Sequence, residues 1–126
     1  MQASIDVTGH EQLIRRGYET FNARDIDAAL TRMHPDVDWP NAWEGGRVVG
    51  RAAIRDYWSR QFSAISSIVE PESFTTEPDG SIAVEVDQAV RDAHTGELLS
   101  DSMVRHRYRL RDGLIARMDV IGPSGT

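Results

Sequence analysis

Apolar residues recur every three to four positions through the first part of the chain and every second position through its latter half, so the pattern predicts helices followed by strands. Thr8-Gly9-His10-Glu11 has the form of a capping box and predicts a helix start there. Leu13, Ile14, Gly17, Tyr18 and Phe21 then share one helical stripe, with Glu11, Arg15, Arg16 and Glu19 mostly off it. Asn22-Ala23-Arg24 closes this helix. Asp25 is placed to cap a second, short helix whose inner face is Ile26, Ala29, Leu30 and Met33, and which must stop before Pro35 because a residue preceding proline disfavours helical geometry. A short strand is expected over 36–40 and a loop holding Trp43 over 41–46. A third helix is expected over about 51–66, with the aromatic stripe Ile54, Tyr57, Trp58, Phe62 and Ile65.

From there the period becomes two. Segments near 68–77, 81–91, 98–110 and 114–121 read as strands, separated by Pro78-Asp79-Gly80, His94-Thr95-Gly96 and Arg111-Asp112-Gly113. Three helices laid on one face of a meandering antiparallel sheet is an α+β plan, and residues 1–126 read as a single domain. Alternation puts Ile82, Val84, Val86, Gln88 and Val90 on the face toward the helices, and likewise Val104, His106, Tyr108 and Leu110. The last turn decides the parity of the last strand. A three-residue loop pairs Leu110 with Leu114 and sends Ala116, Met118 and Val120 inward, with His106 opposite Met118 and Arg105 opposite Asp119. A two-residue Asp-Gly turn pairs Arg111 with Leu114 and sends Arg117 and Asp119 inward instead. Burying that charge pair costs several kcal/mol, which favours the three-residue loop.

Composition narrows the chemistry. There is no cysteine, hence no disulfide, thiol catalysis or thiolate metal site. No apolar run is long enough to span a bilayer, the N-terminus lacks the form of a secretory signal, and a cytoplasmic protein is expected. A formal charge of −6 argues against general nucleic-acid binding. All 14 basic residues are arginine, and Arg105, Arg107, Arg109 and Arg111 form an outward stripe, best explained by cross-strand ion pairs with acids such as Glu85, Asp87 and Asp119 or by a subunit interface.

His106 is the one titratable group the pattern sets among apolar neighbours, where an imidazole suits acid/base work or anchors a ligand; a hydrogen-bonded core histidine is the plain alternative. Gln88 is the other inward polar group, opposite Ser102, placed either to orient a ligand or to satisfy the end of the barrel. His34, Asp36 and Asp38 alternate as metal ligands can, but Val37 and Trp39 claim the buried face, so a solvated polar edge is the better reading and no metal or cofactor is expected. Tyr18, Trp39, Trp58, Tyr108 and Met118 complete the walls of a candidate small-molecule pocket.

The segments Tyr18–Asp25, His34–Trp39, Gly50–Arg55 and Tyr108–Ile115, in this order and spacing, resemble the nuclear transport factor 2-like superfamily in its SnoaL-like and ketosteroid isomerase-like branch. The resemblance implies a cystatin-like α+β barrel, in which a cone-shaped sheet wraps three helices around an apolar pocket open at one end. It also implies a homodimer through the sheets. Such cones host isomerases, cyclases, dehydratases and plain binding modules, so fold does not carry function. Position by position, the isomerase tyrosine falls at Gly17, its general-base aspartate at Trp39, and its protonated aspartic acid at His106, which alone keeps a hydrogen-bond donor. Cyclase chemistry needs an acid in the pocket that Asp119 does not supply, and an epoxide hydrolase relay has no candidates on the inner face. The expectation is a protein binding a small, largely apolar, carbonyl-type molecule with His106 as anchor or acid/base, its turnover left open. The rival is an interaction module whose cone is filled by its own side chains.

Overall fold

The computed structural model describes residues 2–41 and 44–121, with side chains from residue 9 onward; Thr8 as a capping side chain and Trp43 lie outside what it describes. Three helices, α1 (Gln2–Asn22), α2 (Ile26–Thr31) and α3 (Arg51–Ala64), accompany six strands: β1 (Met33–Pro40), β2 (Arg47–Val49), β3 (Ile65–Thr76), β4 (Ile82–Asp92), β5 (Leu98–Arg111) and β6 (Leu114–Val120). The first helix therefore begins ahead of the expected start at Thr8, since the stretch before it contains no helix breaker. Asp25 does cap α2, its side chain accepting from the Ala28 amide at 3.1 Å.

α1 ends without a glycine. Arg24 takes a left-handed conformation (φ 62°), held there by its own guanidinium, which donates to the Phe21 and Ser67 carbonyls and to Ser66 Oγ and lies 4.4 Å over the Phe62 ring. This clamps the end of α1 to the start of β3. The third helix stops at Ala64, so Ile65, expected on its stripe, instead opens β3 and pairs with Asp92. A β-branched residue at the head of Ile65-Ser66-Ser67-Ile68-Val69 joins the ladder more readily than it extends a helix.

The sheet order is β2-β1-β6-β5-β4-β3. Strands β3 to β6 form the expected antiparallel meander, but β1 lies parallel to β6, so the α+β sheet is mixed rather than wholly antiparallel, and it is not closed. β1 runs through Pro35, whose missing N–H falls within a register irregularity between Met33 and Asp38. Its buried positions Met33 and Val37 face the helices, as alternation requires.

The β5–β6 hairpin corrects the expected loop. Asp112 (φ 56°) and Gly113 (φ 75°) make a two-residue turn pairing Arg111 with Leu114 and Leu110 with Ile115. A bulge between Arg109 and Leu110 then absorbs one residue of β6, so that Tyr108 pairs with Met118, Arg107 with Asp119 and His106 with Val120. His106 thus faces Val120 rather than Met118, and Asp119 sits opposite Arg107 rather than Arg105. Of the expected inward set Met118 is buried, whereas Val120 is exposed and Ile115, expected on the outer face, is buried instead; Arg117 and Asp119 remain outside.

The core gathers Ile14 and Tyr18 from α1, Ile54, Tyr57 and Trp58 from α3, and Val84, Val86 and Tyr108 from the sheet. Because Gly113 carries a positive φ that a β-branched residue resists, Gly113→Val is expected to cost about 1–2 kcal/mol of stability, read from the urea midpoint with an unchanged m-value. No loss would show that the turn is not the one described.

Candidate ligand-binding site

A cavity of about 100 Å³ lies between the helices and the inner face of the sheet, bounded by α1, α2, α3 and five of the strands. All seven residues singled out in the sequence, His106, Tyr18, Trp39, Trp58, Gln88, Tyr108 and Met118, border it. Among the described residues that line it there is no aspartate, glutamate or arginine.

Helical spacing in α1 points Tyr18 down onto β5. Its hydroxyl lies 2.9 Å from His106 Nδ1, while the three rings pack at centroid separations of 6.0–6.3 Å. All three side chains are buried. Burial pushes the His106 imidazole down to about 4 and raises both phenols, so at neutral pH the cluster holds no charge. The imidazole is therefore a neutral hydrogen-bonding group rather than a general acid poised near neutrality. Tyr18 occupies Nδ1, which leaves Nε2, the other ring nitrogen, to the cavity.

The walls are aromatic. Trp39 packs edge-on against Trp58 at 5.7 Å and tilts against Tyr108 at 6.3 Å, and Trp58 meets Phe21 at 5.3 Å. Gln88 pairs with Ser102 in the ladder as expected, but its amide donates to Ser67 Oγ at 3.2 Å. Sequence reading missed Gln61 and Ser67. Gln61 follows Tyr57 and Trp58 at helical spacing and so belongs to the same stripe; Ser67 shares the parity of Val69, one residue before the expected start of its strand.

The acids stay outside. Arg117 donates to Asp38 at 2.9 Å and to both oxygens of Asp119, Arg47 bridges the same pair, and the hydrogen bond from Arg117 keeps Asp119 below its usual carboxylate range. His34 and Asp36 both meet Arg111, and among the described residues no group of three acids or histidines is arranged to hold a metal ion. The arginine stripe is ion-paired: Arg105 with Glu85, Arg107 with Glu77 and Arg109 with Asp79. Asp87 does not join it, its carboxyl being raised instead by a hydrogen bond with Asp101.

Residues 14–118 match the SnoaL-like domain model, and the chain belongs to that family. Among solved structures, it is similar to TerC co-crystallised with polyporic acid (25% identity, 92% of each chain covered, TM-score 0.78). It is also similar to a proposed polyketide cyclase from Sinorhizobium meliloti (25% identity, 86% and 93% covered, TM-score 0.70). A third likeness is to a Mycobacterium tuberculosis protein in complex with estradiol-17β-hemisuccinate (18% identity, 92% and 95% covered, TM-score 0.77). No curated protein matches the sequence significantly. The fold and family are those of small-molecule-binding or cyclase- and isomerase-type proteins, and among the described residues no helix is long and apolar enough to cross a membrane.

The buried imidazole makes stability depend on pH. Below about pH 6.5 the unfolded chain binds a proton that the folded chain refuses until about pH 4, so this contribution is whole above 6.5 and is lost as the pH falls toward 4. Urea unfolding should show about 2 kcal/mol lost between pH 7.5 and pH 5, a slope that His106→Leu removes. An unchanged slope in the variant would assign the loss to other groups.

Proposed function

We propose that the protein binds a small, largely apolar molecule carrying a carbonyl oxygen, anchored by His106 with Tyr18 and walled by Trp39, Trp58, Tyr108 and Met118. The observation that carries this reading is the 2.9 Å Tyr18–His106 bond inside an aromatic cavity whose lining residues include no charged side chain. With the Tyr18 hydroxyl donating to Nδ1, the imidazole proton sits on Nε2, and Nε2–H donates to the ligand oxygen. A neutral donor in a low-dielectric site stabilises negative charge developing on that oxygen, which is the chemistry such a site offers an enolising or cyclising carbonyl. No carboxylate base is among the described lining residues, so the ligand-binding role stands ahead of turnover. TerC, at 25% identity, was co-crystallised with polyporic acid, which supports a small-molecule ligand. The rival reading, a cone filled by its own side chains, fits poorly with an interior space of about 100 Å³.

The test is calorimetric titration with 4-acetylbiphenyl, a carbonyl on an aromatic body. Wild type should bind it. His106→Leu should weaken binding about tenfold and Tyr18→Phe several-fold, while both variants stay folded at neutral pH. Absence of binding, or equal binding by His106→Leu, sinks the reading.

We further propose a homodimer in which the outer face of the sheet packs on a second copy, with Ile68 exposed there beside Ala89. Light scattering should give twice the chain mass, and Ile68→Glu should lower it; a monomeric wild type would rule the dimer out.

A further inference from the structure

We propose that the cavity has a second polar pole, formed by Gln61, Ser67 and Gln88, which takes an uncharged hydrogen-bonding group on the far end of the ligand. This rests on the ligand-binding reading and extends it from one end of the molecule to the other. The inward positions around these three are apolar or aromatic: Tyr57 and Trp58 on α3, Val69 on β3, Val84 and Val86 on β4. Gln61 is buried and Gln88 half-buried in this lining, and a buried primary amide is costly to desolvate unless something uses it.

Each amide offers two N–H donors and an oxygen with two lone pairs. Among the described residues Gln61 makes a single, long side-chain hydrogen bond, from Nε2 to the Tyr57 hydroxyl at 3.4 Å. Gln88 likewise makes one, from Nε2 to Ser67 Oγ at 3.2 Å. Their carboxamide oxygens have no protein partner among the described residues, and neither is sealed from open space. Both side chains border the cavity, so the spare donors and acceptors are available to what fills it.

The fold gathers these groups at one place. Gln61 lies in the last turn of α3, Ser67 follows just after the chain turns into β3, and Gln88 reaches Ser67 from the neighbouring strand. His106 pairs with Val84, whereas Gln88 lies four residues further along β4, about 13 Å at the rise of an extended strand. With no charged side chain among the described lining residues, the second group is a hydroxyl, carbonyl or amide rather than an ion. The fitting class is an elongated aromatic ketone with a distal hydroxyl.

The experiment compares 4-acetylbiphenyl with 4-(4-acetylphenyl)phenol, which adds one hydroxyl at the far end. In wild type the hydroxyl should tighten binding about fivefold, and in Gln88→Leu and Gln61→Met the gain, read as the ratio of the two compounds' Kd values in the same variant, should fall below about twofold. A wild type that binds both equally, or variants that keep the gain, would overturn the second pole and leave the carbonyl anchor standing. If neither compound binds wild type, the ligand-binding reading falls and this one with it.

Discussion

One residue gained by β6 between Leu110 and Arg109 decides which side chains the interior has to hold. A two-residue turn at Asp112-Gly113 satisfies the local preference for left-handed backbone, but continued without interruption it would carry Arg117 and Asp119 into the core. The bulge restores the opposite parity within two residues of the turn. Ile115 and Met118 are consequently both buried although an odd number of positions separates them, and Arg117 and Asp119 meet Asp38 and Arg47 on the outer face. The uncharged lining of the cavity depends on this local irregularity more than on any single contact.

Because the lining is neutral, its hydrogen bonds act in a poorly screened medium, where each counts for more and each unmet one costs more. The Tyr18 hydroxyl pairs with Nδ1 of His106 at the helix side and leaves the other imidazole nitrogen for the cavity that His106 lines. Burial disfavours the imidazolium, so the ring keeps one proton and presents one donor or one acceptor according to its tautomer. Tyr18 also ties α1 to β5 across 88 residues of sequence, so the geometry of the site and the docking of the helix are one constraint.

Most of this was legible in side-chain periodicity. The α1 and α3 stripes, the parity of β4 and β5, and the placing of His106, Tyr108 and Gln88 on the inner face all follow from spacings of 3.6 and 2. What escaped was set by longer-range pairing. The parallel partnership of β1 and β6 joins segments some eighty residues apart, which no local pattern reports, and Ile65 left the helix because a strand was waiting for it in β4. The hairpin posed a conflict between turn chemistry and burial; a choice between two regular registers could not contain the bulge that satisfies both. Gln61 was passed over because a polar residue on an apolar stripe breaks the pattern used to find the stripe.

Trp39 shows how the same architecture changes chemistry by exchanging a few inward side chains. It occupies the position that, by resemblance, carries the general-base aspartate in ketosteroid isomerase-like proteins, and here that position presents an indole packed between Trp58 and Tyr108. A carboxylate there would need a desolvated anion to be stabilised beside a neutral imidazole and two phenols, whereas the indole removes that cost and adds a flat apolar surface. His106, standing where the resemblance puts a protonated aspartic acid, keeps a neutral donor but also offers an acceptor in its other tautomer. On the proposed reading, the exchange trades a carboxylate base for stacking while retaining a group that can polarise a bound oxygen. On that reading, a site so composed would hold a planar carbonyl compound and stabilise charge on its oxygen, and a proton removed from that compound would leave by way of the ligand's own groups, water or the imidazole in its acceptor tautomer.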